Sequence, residues 1–256
     1  MRVIAVVNQK GGVGKTTTSV NLAHALALGG KKILAIDLDP QGNLSTSFGV
    51  SDPLVNGLDE VLLDGVDIND MCLNVRESLD IIPAGKRLGE LEFEKQGGAD
   101  RGFRLNKALT RLTYKPDFVI IDCPPSAGLV GMNGLLAANE LMLPVASDFL
   151  SMQGITRMMG IVNHVESTLK FSTKKCFVVT RFQGRRKLAK DVKEKLISLF
   201  PKKVLETSIR ENVTLAESPS FGKTIFDYKR LSNGGKDYLS LANDVLKNKM
   251  ATNNYE

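Results

Sequence analysis

Lysine, threonine and aspartate stand in this chain in an arrangement that could hold a phosphate and a divalent cation. The run Asn8-Gln9-Lys10-Gly11-Gly12-Val13-Gly14-Lys15-Thr16-Thr17 follows an apolar stretch, Val3 to Val7, and leads into an amphipathic one, Ser19 to Leu28. Strand, glycine loop and helix in that order are the context of a phosphate-binding loop. Successive backbone N–H groups converge, and the helix N-terminus adds partial positive charge. The missing Cβ atoms of Gly11, Gly12 and Gly14 let a phosphate approach. In such a loop, completed by Val13 and Thr17, Lys15 reaches the β- and γ-phosphates of a nucleotide and the Thr16 hydroxyl ligates Mg²⁺.

Two later carboxylate groups follow apolar runs. Lys32–Ile36 leads into Asp37-Leu38-Asp39-Pro40-Gln41-Gly42-Asn43, and Phe118–Ile121 leads into Asp122-Cys123-Pro124-Pro125-Ser126. Carboxylates just after parallel strands sit at the carboxyl edge of the sheet, where α/β folds bind ligands, and strand alternation puts Asp37 and Asp39 on one side. Asp122, closing an apolar strand downstream of a glycine loop, is placed to hold Mg²⁺ directly or through water.

The general pattern G-x-x-x-x-G-K-[ST] is not quite met, because Gln9 stands at its first glycine and Lys10 follows. A lysine this early in the loop cannot easily reach outer phosphates that Lys15 already occupies, but it could reach those of a second subunit docked face to face. Lys10-Gly11-Gly12-Val13-Gly14-Lys15-Thr16 resembles the deviant Walker A motif of the ParA/MinD superfamily, whose signature lysine matches Lys10. The resemblance implies an ATPase using ATP and Mg²⁺, with Lys10, Lys15 and Asp39 in catalysis and Asp39 orienting the attacking water. It also implies that the Gly128 N–H senses the γ-phosphate from a second switch loop.

The elements expected to carry these groups alternate. Strands are read over Arg2–Val7, Lys32–Ile36, Leu79–Pro83, Phe118–Ile121, Glu140–Val145 and Cys176–Thr180. Helices are read over Thr16–Leu28, around Leu58–Leu63, and over Leu88–Glu94, Phe103–Leu112, Ile155–Leu169, Lys190–Phe200 and Tyr238–Leu246. Gln96-Gly97-Gly98-Ala99 reads as a loop, and 44–75 is the least legible stretch. The pattern predicts a single α/β domain over 1–256, a doubly wound and mainly parallel sheet with helices on both faces. At 256 residues and 43% hydrophobic content, the chain can bury a full core. Its apolar runs fall short of a signal peptide or a membrane span. Cys72, Cys123 and Cys176 show neither disulfide nor zinc spacing, so a cytoplasmic protein is expected, with Cys123 a buried structural thiol.

Charge is uneven. Eleven bases face two acids between Lys174 and Lys203, an excess of +9 against a net +6 for the whole chain, which predicts a polyanion-facing surface. Arg185, Arg186, Lys187 and Lys190 are its candidate DNA contacts. With few aromatics nearby, phosphate contacts without base readout are expected, hence sequence-independent, salt-sensitive binding. Ile209 to Lys223 resembles the ParA/Soj stretch I-P-R-N-V-x-L-x-E-A-P-S-x-G-K. There Arg210-Glu211 replaces Pro-Arg, and Thr214 stands where relatives often carry a DNA-contacting arginine. Residues 209–212, Asn212 among them, would border the adenine base.

The resemblance therefore implies a ParA/Soj-type partition switch: an ATP-dependent homodimer on nucleoid DNA, stimulated by a ParB-like centromere-binding partner. The alternative is a MinD-like membrane-surface ATPase. The tail Asn248 to Glu256 is neither aromatic-rich nor strongly basic, which argues against stable membrane association. A dethiobiotin synthetase would leave the basic cluster unexplained, and a nitrogenase-type reductase would need more cysteine at the dimer face than Cys123.

Overall fold

The computed structural model describes residues 1–52, 55–94 and 98–252. Seven strands form one sheet: β1 (Arg2–Val6), β2 (Ile33–Asp37), β3 (Leu73–Arg76), β4 (Leu79–Ile82), β5 (Phe118–Asp122), β6 (Glu140–Ala146) and β7 (Lys174–Thr180). Their order is β3-β4-β2-β5-β1-β6-β7, parallel throughout except for β3, which runs antiparallel to β4 at one edge. The named helices are α1 (Lys15–Leu28), α2 (Asn43–Ser47), α3 (Arg104–Leu109), α4 (Leu129–Ala137), α5 (Phe149–Leu169), α6 (Lys187–Leu199), α7 (Val213–Glu217), α8 (Ile225–Lys229) and α9 (Asn233–Lys247).

Continuous apolar runs make the central strands because both faces of a parallel sheet are covered. In β1, Ile4 and Val6 pack on one side while Val3 and Ala5 pack on the other. Leu22 and Leu26 of α1 and Tyr238 and Leu241 of α9 cover the first face. Leu105 of α3, Val130 of α4, Ile155 and Val162 of α5 and Leu196 of α6 cover the second. Each such side chain contributes about 1.5–3 kcal/mol by leaving water. The sheet thereby fixes the carboxyl ends of β1, β2 and β5 side by side, with Val6 and Asp37 both in register with Asp122.

Several element boundaries differ from the sequence reading. The stretch 44–75 holds α2, a π-helical turn at Glu60–Asp64, a 3₁₀ turn at Ile68–Met71 and the edge strand β3. Leu88–Phe93 is 3₁₀ rather than α-helical. Of the loop expected at 96–99, Gln96 and Gly97 lie outside the described residues, and a 3₁₀ turn opens at Gly98. Helix α5 begins at Phe149, ahead of Ile155, because the Asp148 side chain accepts from the Ser151 N–H and caps it. The end of the polar tail, 253–256, also lies outside the described residues. Among the described residues no helix is long and apolar enough to cross a membrane.

Candidate nucleotide site

The loop between β1 and α1 is held from below by side chains. Asn8 Nδ2 donates to the Pro144 carbonyl, and Asn8 Oδ1 accepts from the Lys10 N–H. Thr180, the last residue of β7, donates its hydroxyl to the Val13 carbonyl at 2.8 Å. Gly12 and Gly14 adopt left-handed conformations, φ 71° and 89°, which other residues adopt only under strain. Nothing lies within 4 Å of a Cβ added at Gly11 or Gly12, so the loop is open on its outer side. Helix α1 carries no acid in its first turn, leaving its N-terminal amides available to an anion.

Beneath the loop the carboxylates collect hydroxyls. Asp122 is fully buried; its two oxygens accept from Thr16 Oγ1 at 2.7 Å and Ser19 Oγ at 2.8 Å. Burial pushes the Asp122 carboxyl up to about 7, the neighbouring Asp37 adds to the rise, and the hydrogen bonds from Thr16 and Ser19 oppose it. Asp37, also fully buried, accepts from the backbone and hydroxyl of Ser45, and burial raises it to about 6. A carboxylate beside two hydroxyls is an oxygen donor set suited to Mg²⁺, which takes few protein ligands and retains water. Lys15 is 8% exposed. Burial lowers its pKa, while the charges of Asp122 and Asp39 work against that.

A cleft of about 680 Å³ opens above these groups, within the range of small-ligand sites. Gly11 to Thr17 line it together with Asp39, Gln41 and Pro125 on one side of the sequence and Arg210, Asn212 and Tyr238 on the other. Asp39 Oδ1 accepts from the Gln41 N–H, which fixes the loop after β2. Asn212 caps α7, its side-chain oxygen taken by the N–H and hydroxyl of Thr214. Arg210 is pinned at the rim by Asp237, with contacts from 2.6 to 3.1 Å, and Glu211 takes the side-chain amide of Gln183.

Three expected site residues do not line this cleft: Asp122 is fully buried beneath it, and Lys10 and Gly128 lie elsewhere. Lys10 Nζ binds Asp148 and the Ser151 hydroxyl of its own chain. Gly128 sits at the start of α4 against the Glu92 carboxylate. Ser19, Ser45, Thr180 and Asp237 escaped the sequence reading. Of these, only Ser19 left a signal, since it lies one helical turn beyond Thr16 on the same face.

The basic segment is narrower than its charge count. Lys175 is paired with Glu166 and Lys174 with Glu140, while Lys193 donates to the Glu206 carbonyl. Arg185, Arg186, Lys187 and Lys190 are exposed and, among the described residues, form no ion pair. They surround the N-terminus of α6, which has no acid in its first turn. Cys123 is buried against Gly134, and burial pushes its thiol far above the ordinary range.

Comparison with known proteins agrees with this geometry. A family model described as an AAA domain matches residues 1–175. The sporulation initiation inhibitor protein Soj of Bacillus subtilis is 38% identical over 250 residues, covering 96% of this chain and 99% of the relative. The chromosome partitioning protein ParA of Myxococcus xanthus is 37% identical, covering 96% and 88%.

The chain belongs to the ParA/Soj family of partitioning ATPases. Among solved structures, a cobyrinic acid a,c-diamide synthase from Mycobacterium smegmatis with bound ADP and magnesium is 29% identical, with a TM-score of 0.85 over 99% of this chain and 100% of the other. A plasmid partition protein from Borrelia burgdorferi bound to AMPPNP has a TM-score of 0.80 at 24% identity over 96% and 98%, a likeness of fold. A ParA/Soj chain thus gathers its glycine loop, the Asp39 loop after β2 and residues of the 209–216 segment around one cleft.

Proposed function

We propose that this chain is a single-domain switch, spanning 1–256, in which ATP and Mg²⁺ join two copies and the pair binds DNA without regard to sequence during chromosome or plasmid partition. The observation that carries the proposal is the Thr16 hydroxyl 2.7 Å from the Asp122 carboxylate, beneath an open glycine loop whose lysine, Lys15, is nearly buried. Phosphoryl transfer to water asks the protein for positioning and charge neutralisation. Bound Mg²⁺ supplies part of that neutralisation. Thr16 and Asp122 hold it, Lys15 binds phosphate oxygens with the amides of Gly11 to Thr17, and Asp39 orients the attacking water. Gly128 reads the third phosphate, and Asn212 borders the base. Lys10 contacts the nucleotide of the partner copy.

DNA binding rests on Arg185, Arg186, Lys187 and Lys190. Four cations at the positive end of a helix repel that end and one another, and backbone phosphates relieve both. A ParB-like centromere-binding protein accelerates slow hydrolysis and so releases DNA, in a cytoplasmic, nucleoid-associated cycle without stable membrane attachment. The M. smegmatis name keeps small-molecule chemistry on this scaffold in view, but the higher identity to partition proteins favours partition. The MinD-like alternative predicts co-sedimentation with liposomes in ATP, and none is expected. The decisive test is DNA retardation with ATP and with ADP, for the unsubstituted protein and Lys10→Ala. Retardation with ATP in the unsubstituted protein alone is expected, and equal binding throughout would refute the switch.

A further inference from the structure

The turn Leu88–Phe93 carries a carboxylate that the chemistry above leaves unused. Leu88 and Leu91 are fully buried, so the turn is anchored in the core, while Glu92 faces outward. From there its side chain reaches the start of α4: Oε2 accepts from the Leu129 N–H at 2.6 Å and Oε1 from the Val130 N–H at 3.2 Å. Amides in a first helical turn have no intrahelical acceptor. Helix α4 has no acid in its own first turn, so a distant part of the chain supplies the charge that its positive end favours.

Gly128 is fitted to this contact. A Cβ there would lie 2.2 Å from one Glu92 oxygen and 2.5 Å from the other, so a larger residue at 128 would drive the carboxylate out. The same turn abuts the loop after β2, since a Cβ on Gly89 would meet Pro40 Cβ at 3.9 Å. One anchored turn therefore bonds to the start of α4 and lies beside the loop after β2. Pro125 lines that cleft and Gly128, just downstream, does not.

We propose that Glu92 is a positioning residue whose carboxylate holds the loop from Pro124 to Gly128 back from the cleft, in competition with the third phosphate of ATP. The proposal rests on the reading above in which that loop moves to the γ-phosphate. Carboxylate and phosphate are both anions seeking the same short run of amides. Drawing the loop to one while the other stays bound brings like charges together. Glu92 thereby weakens the hold on ATP and leaves ADP, which lacks the outer phosphate, unaffected.

The test compares the full chain with Glu92→Ala and Glu92→Gln by amide hydrogen exchange and by Mg²⁺-supported binding of ATP and ADP. Without nucleotide, Leu129 and Val130 should exchange about tenfold faster in the alanine variant. ATP should bind it about fivefold more tightly, with ADP affinity unchanged. The glutamine variant keeps an acceptor but loses the charge, and should fall between. Equal tightening for ADP would overturn the proposal, because the third phosphate would not be the competitor. Unchanged ATP affinity would reduce Glu92 to a helix cap, and weaker ATP binding would make it a support of the bound state; either overturns it. The switch reading fails separately if residues 124–130 of the unsubstituted protein exchange alike with ATP and with ADP, and the competition falls with it.

Discussion

Lys10 Nζ lies 2.7 Å and 2.9 Å from the two oxygens of Asp148, and Ser151 Oγ completes its shell at 3.1 Å. Burial works against the charged Asp148, but hydrogen bonds from Lys10 and Ser151 outweigh it and hold the carboxyl below its ordinary range. With side chains 30% and 46% exposed, the pair stabilises the fold by about 0–1 kcal/mol, little enough for a nucleotide to displace. Asp148→Asn keeps an acceptor for the α5 cap and removes the charge. The ATP-dependent dimer should then tighten by about two- to fivefold, whereas Lys10→Ala should abolish it. Light scattering with ATP checks both.

Asp39→Ala should leave ATP binding intact and lower hydrolysis by about a hundredfold or more. Asp39 lines the cleft, and its carboxylate accepts from the Gln41 N–H rather than from the glycine loop. Single-turnover phosphate release with bound ATP measures the loss. A proportional fall in ATP affinity would reassign Asp39 to binding.

Under the proposed role of Asp122 in holding Mg²⁺, its raised carboxyl, about 7, should make Mg²⁺ binding depend on pH. Below that value the proton must leave before a cation can bind, so apparent affinity should climb by up to about tenfold per pH unit toward 7 and level off above. The linked effect on stability has the opposite sense. A carboxyl with a folded pKa above its unfolded one favours folding most below the unfolded value, near 3.8, and loses that contribution as pH rises through about 7. Calorimetric Mg²⁺ titrations between pH 6 and 8, with Asp122→Asn as the flat control, provide the check.

Replacing Arg185, Arg186 and Lys187 together by alanine should weaken DNA binding uniformly across sequences. The slope of log affinity against log salt should fall by about 2.7 if each contacts one phosphate. Fluorescence titration over a salt series reads the slope directly. An unchanged slope would move the interface elsewhere.

Thr180→Val preserves shape and deletes the hydroxyl that reaches the Val13 carbonyl. Leaving that buried carbonyl unpaired should cost about 1–3 kcal/mol in urea unfolding and raise the KM for ATP. Unaltered ATP kinetics would mean that the loop needs no anchor from β7.

Elements with continuous apolar runs were legible from sequence, because β1, β2, β5, β6 and β7 are covered on both faces. The edge strand β3 was not. Leu73-Asn74-Val75-Arg76 is short and half-covered, and it pairs through an irregular register with β4. The start of α5 was missed because Phe149 and Leu150 are exposed there, 64% and 62%, so no buried stripe marks its first turn. The placement of Lys15, Thr16 and Asp39 along one cleft, with Asp122 buried beneath it, was legible because each follows a strand or loop of recognisable kind. Ser45, Glu92 and Asp237 were not, since they meet their partners only through the tertiary fold. The +9 segment overstated its free charge, because Lys174 and Lys175 lie on a strand whose neighbours supply glutamates.

Strand β7 ends at Thr180, which grips the phosphate loop, and the next residue, Arg181, both lines the cleft and adopts a left-handed backbone, φ 50°. The polypeptide then runs directly into the cationic turn at Arg185. Under the proposed function, the filling of the loop and the contact with DNA would thus lie only a few residues of backbone apart, with no distant relay needed between them.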